Sequence, residues 1–91
     1  MLVVRFGRNR LRLHTRVNQI KHSPIFKLRG VYSSRHVPGA IMVSKDKYVL
    51  DSLGEYMCHS LDPSCEVVGK CVFATRDLSP GEELTIIHTL T

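Results

Sequence analysis

The side chains in this 91-residue sequence that could do chemistry are histidines, cysteines and closely spaced carboxylates. His59 and Ser60 stand beside Asp62-Pro63. An imidazole and a hydroxyl there could contact a bound ligand, or could cap a loop, since Ser, Asp and Pro are residues that turns favour. The residues alone admit both. Cys58, Cys65 and Cys71 are odd in number and form no C-x-x-C pair, which makes a poor disulfide framework and a poor zinc site. Free buried thiols in a reducing compartment, with no metal, are the expectation. Glu82 and Glu83 follow Pro80-Gly81. Adjacent strand residues point to opposite faces, so these two cannot serve one substrate as acid and base. One is expected to fix the turn and the other to face solvent.

The elements that must position these groups read as short strands. Residues 2–6 and 10–14 flank the turn residues Gly7-Arg8-Asn9, and the alternation in 10–14 predicts a hairpin. Pro24 disfavours helix before it and closes this block. Gly30-Val31-Tyr32 opens another strand, Pro38-Gly39 marks a tight turn, and Ala40–Val43 reads as a buried strand. Leu50–Met57 is the one stretch that predicts a helical turn or two, with Asp51 or Ser52 as N-cap. Val67-Val68 and Cys71–Phe73 flank Gly69-Lys70 as a second hairpin, and Leu84–Ile87 is a β-branched closing strand. Tyr32 and Phe73 are expected as core anchors, and Tyr56 as the aromatic nearest a ligand. The fold class is mainly β, with little helix.

An internal echo supports that reading. Val31-Tyr32-Ser33-Ser34-Arg35-His36-Val37-Pro38-Gly39 is matched by Val72-Phe73-Ala74-Thr75-Arg76-Asp77-Leu78-Ser79-Pro80-Gly81. Each describes a strand that drops an aliphatic side chain inward and reverses at Pro-Gly. Two copies suit a small pseudo-symmetric β fold rather than a solenoid.

Charge is divided along the chain. Residues 1–45 hold ten Lys or Arg and no acid, whereas 46–91 hold three against all eight acids. The basic half could match the acidic half internally, attract an acidic protein or a nucleic acid through residues 5–35, or act in targeting. No stretch approaches the roughly 20 apolar residues of a membrane-spanning helix, and no secretory apolar core is evident. The expectation is an intracellular protein, cytoplasmic or nuclear, with no membrane partner. The length allows one domain of modest stability, read as a basic hairpin or extension over 1–22 and a main unit over 23–91.

Three segments carry a family resemblance. Glu55-Tyr56-Met57-Cys58-His59-Ser60-Leu61-Asp62-Pro63-Ser64-Cys65 resembles the asparagine-histidine-serine motif of SET-domain protein-lysine methyltransferases. Val72–Ile86 resembles that family's closing segment, and Leu28-Arg29-Gly30-Val31-Tyr32 its opening G-x-G strand. The resemblance implies a β-clip fold of small sheets over 23–91 and methyl transfer from S-adenosylmethionine to a lysine side chain of a protein substrate. It implies cofactor contacts at Arg29, Gly30, Tyr32, Cys58 and His59, and places Tyr56 and His88 at the reacting centre. Leu28 stands where the first glycine would be, Cys58 replaces the asparagine, and His88 replaces the closing tyrosine. The Gly30–His59 interval is also shorter than is usual in the family. These departures imply an activity weakened or lost. The alternative is a non-catalytic β-clip module, similar to small SAF-type domains in its Ala74–Gly81 turn, that docks an acidic partner or nucleic acid through the basic half.

Overall fold

The computed structural model describes residues 2–7, 9–35, 40–44 and 47–87. The Pro38-Gly39 turn and His88 lie outside them. Among the described residues, ten short strands make four small sheets, joined by one 3-10 turn, Gly54–Tyr56. The strands are β1 (Leu2–Gly7), β2 (Arg10–Thr15), β3 (Pro24–Lys27), β4 (Tyr32–Ser33) and β5 (Ala40–Ser44). They continue as β6 (Lys47–Leu50), β7 (Cys58–His59), β8 (Cys65–Val68), β9 (Cys71–Ala74) and β10 (Thr85–Ile86). This mainly β arrangement of small sheets agrees with the β-clip that the resemblance implies.

Both expected hairpins form. β1 and β2 pair antiparallel from Leu2↔Thr15 to Gly7↔Arg10. β8 and β9 pair from Cys65↔Ala74 to Val68↔Cys71, round a turn in which Gly69 takes φ +61. Pro24 does not end a block but opens β3, which pairs with β9. A proline at the first position of a strand sacrifices no essential donor. The helical stretch is shorter than the sequence suggests, because Leu50 belongs to β6 and only Gly54–Tyr56 coil. The N-cap position is Leu53, with no side-chain capping bond, so neither Asp51 nor Ser52 is the N-cap. Asp51 instead braces the approach to the turn, its Oδ1 accepting the N–H groups of Leu53 and Gly54, each at 2.9 Å.

The internal symmetry is real, but its first half lies elsewhere. Thr15 N–H donates to Glu82 O and Ala74 N–H to Ser23 O, each at 3.0 Å. Gly81 N–H donates to Thr15 O, and His22 N–H to Ala74 O. Gln19 and Leu78 exchange both bonds. Corresponding partners (15 and 74, 19 and 78, 22 and 81) are a constant 59 residues apart, the signature of a pseudo-two-fold axis. The mate of 72–81 is therefore 13–22, not 31–39; the described part of that segment, β4, pairs with β6. Sequence hides the relation because backbone bonds make it. Gly81 adopts φ +92, while its mate His22 holds φ +69 without a glycine.

The core fills the space between the sheets. Leu13, Leu28, Ile41, Val49, Val72 and Leu84 are each no more than 1% exposed. Burying such a side chain stabilises the fold by about 1.5–3 kcal/mol. Leu13 belongs to the basic hairpin, so β2 contributes directly to this core. Tyr32 is no core anchor: it is 50% exposed on β4. Phe73 is only half-buried.

Candidate functional site

The closing strand lies against the histidine-bearing segment. β10 and β7 pair parallel, with Thr85 opposite Cys58 and Ile86 opposite His59, and Ser60 N–H donates to Ile86 O at 2.9 Å. Parallel pairing cannot arise from a tight turn and needs a crossover. Here the crossover is the β8–β9 hairpin and the Gly81 turn. Ser64 fastens it. Its buried hydroxyl donates to Glu83 O at 2.9 Å and accepts from Thr85 N–H at 2.9 Å, while Ser64 N–H donates to Thr85 Oγ1 at 3.0 Å.

Cys58 is buried in this seam and His59 is exposed. Burial pushes the Cys58 thiol up, opposed by the nearby charges of Arg10 and Arg12, while Glu83 reinforces the rise. Arg12 forms the one ion pair among the described residues, Nη1 to Glu83 Oε2 at 3.1 Å. Glu83 therefore meets a cation instead of facing solvent alone, while Glu82 fixes the turn by accepting Ser79 N–H. Spacing gave no sign of the Arg12–Glu83 pair or of Ser64's role, because their partners lie 71 and 19–21 residues away in sequence.

Next to the seam is a solvent-reachable cavity of about 300 Å³. Ile86 and Ile87 of the closing segment, Pro63, Val67, Met42 and Glu66 help to line it. That volume is at the lower end for small-molecule sites. Its walls are mostly aliphatic, which suits an apolar stem and excludes water better than a polar groove would.

The Leu28–Tyr32 segment forms a second group. Leu28 is 1% exposed in the core. Arg29 N–H donates to Asp51 Oδ2 at 2.6 Å. Burial by itself would raise the Asp51 carboxyl, but the backbone donors of Arg29, Gly54 and Leu53, with the Arg29 charge, hold it below the ordinary carboxylate range. Gly30 abuts β6: a Cβ there would lie 1.9 Å from Leu50 O. Its carbonyl accepts Lys70 Nζ at 2.6 Å. The Tyr32 ring lies under two ammonium groups, Lys70 at 4.7 Å and Lys47 at 5.2 Å from its centroid. The absent side chain of Gly30 thus accommodates the fold's own backbone.

The residues singled out from sequence therefore fall into two sets. Cys58 and His59 belong to the β7–β10 seam, whereas Arg29, Gly30 and Tyr32 are gathered with Asp51, Leu50 and Lys70. Tyr56 ends the 3-10 turn, half-buried against the core, two residues before Cys58. His88 lies outside the described residues. Residues 6–88 match the family model described as SET domain. No curated protein matches the chain.

Proposed function

This chain belongs to the SET-domain family, and from that premise we propose that it is a reduced S-adenosylmethionine-binding protein of the protein-lysine N-methyltransferase type, with transfer weakened by its closing residues. The observation that supports the reading most is the parallel β7–β10 pairing, which sets Ile86 beside His59 with a cavity next to the seam. The cofactor is assigned to that seam rather than to the opening segment, with Ile86 as the link to the cavity, which none of Tyr56, Cys58 and His59 lines. Cys58 and His59, preceded by Tyr56, would hold it. Gly30 would not open a cradle, since Leu50 O occupies the space a side chain would take.

When bound, the cofactor supplies a methyl group on a sulfonium, and most of the chemical difficulty resides there. The chain's task is to hold a neutral amine in line and keep water away. The aliphatic walls around Ile86 and Ile87 suit a lysine stem. Cys58 supplies a neutral thiol where an asparagine amide would give a paired donor and acceptor. His88, in place of the closing phenol, would offer a single hydrogen bond. These replacements weaken the grip on both cofactor and amine.

One observation favours a second reading, a non-catalytic β-clip module that binds an acidic protein or nucleic acid through its basic half: the opening segment is committed to internal packing at Gly30 and Asp51. Titration calorimetry with S-adenosylmethionine separates the two. Micromolar binding abolished by His59→Ala is the expected result. No heat at millimolar cofactor would remove the first reading and leave the module.

A further inference from the structure

We infer that the outer edge of β1 is a docking strip for an extended acidic peptide, which joins the hairpin as an added strand with apolar and acidic residues alternating. β1 pairs with β2 and with no other described strand. Its far edge therefore presents a row of backbone donors and acceptors, a template for a further strand. The pseudo-two-fold places β2 on β9 and hence β1 on β8, the outer strand of the other hairpin. β8 has β10 packed near it and the cavity at its flank. β1 has no described strand hydrogen-bonded in the corresponding place.

The two faces of the hairpin specify the occupant. Leu2, Val4 and Phe6 share a face with Leu11, Leu13 and Thr15. Near the core this face is covered, but at the tip it runs out into solvent, where Phe6 is 71% and Leu11 43% exposed. The other face carries Val3 and Arg5 opposite His14 and Arg12. Arg5 and Arg12 face each other as like charges, which is unfavourable in a cross-strand pair. Arg12 is relieved by Glu83, while Arg5 and Arg10 are exposed. An incoming strand would lay its apolar residues beside Val4 and Phe6 and its carboxylates beside Arg5. A second copy would bring two basic hairpins together, and like charges oppose that. A nucleic acid would use the charge but neither the backbone edge nor the Phe6 strip. The inference rests on the acidic-partner part of the second reading and is independent of methyl transfer, so a negative cofactor titration leaves it intact.

The test uses the full chain and a fluorescent eight-residue peptide alternating valine and glutamate. Anisotropy should show saturable binding, and amide exchange should slow within residues 2–7. Arg5→Glu, checked for native circular dichroism, should weaken binding by about tenfold or more, as opposed charges become like charges at the contact. The same peptide with lysine for glutamate should not bind. No binding at millimolar peptide, an affinity indifferent to Arg5→Glu, or protection appearing only outside residues 2–7 would each overturn the assignment. So would a single-stranded RNA that binds more tightly than the peptide while the β1 amides stay unprotected.

Discussion

Substituting Gly30 by alanine should destabilise the protein severely, for a reason that can be worked from the backbone. The new Cβ would lie 1.9 Å from Leu50 O, 2.8 Å from Leu50 C and 2.9 Å from Val49 Cγ1. Favourable carbon contacts need about 3.5–4.0 Å, and the nearest obstacle is main chain, which cannot swing aside. Gly30 is not among the residues with positive φ, so conformation poses no separate obstacle to alanine. β4 and β6 would have to part at Tyr32↔Val49 and Ser33↔Tyr48. About two backbone hydrogen bonds at ~1 kcal/mol each and ~1–3 kcal/mol of overpacking would be lost. A gain of about 0.4–1 kcal/mol from a less flexible unfolded chain offsets a little of this. The net loss is about 2–4.6 kcal/mol, or roughly 8–37 °C in Tm for a domain of this size. Urea unfolding followed by circular dichroism, at an unchanged m-value, measures it. A Gly30→Ala protein of native stability that lost only cofactor affinity would refute the packing argument and return Gly30 to a ligand cradle.

Four further outcomes follow from single residues. Ser64→Ala removes the hydroxyl that donates to Glu83 O and accepts from Thr85 N–H, and should cost about 2–3 kcal/mol in urea unfolding because buried backbone groups lose their partner; a loss below about 0.5 kcal/mol would show that the crossover is held by other means. His22→Gly should stabilise by roughly 1 kcal/mol, because His22 occupies φ +69 where a Cβ is penalised; a destabilised variant would mean that the imidazole makes a compensating contact. Burial raises the Cys65 thiol from 9.0 to about 11, so its contribution is complete below the unfolded value and lost as pH rises through that window, at up to about 1.4 kcal/mol per pH unit. Cys65→Ala should flatten that alkaline decline, and an unaltered slope would assign it to other groups. Asp51 behaves oppositely: its lowered carboxyl stabilises the fold above the ordinary carboxylate range, and that contribution disappears on acidification.

Sequence by itself determined the two hairpins and the family. Residues 2–6 with 10–14, and 67–68 with 71–73, declare hairpins because alternation and turn chemistry act over a few neighbours, and both form, with longer strands than the sequence suggests. The motif round His59 and the closing segment pointed to the SET family, which the match over residues 6–88 bears out. Beyond the two hairpins, tertiary structure alone decided which strands meet. The pairing of β3 with β9, the parallel seam of β7 and β10, and the reciprocal bonds 59 residues apart are made by main-chain groups. Every non-proline residue carries the same donor and acceptor, so such bonds leave no mark on side-chain identity. The same holds at Gly30, where the sequence shows that a side chain is missing and only the packed fold shows that Leu50 fills the space.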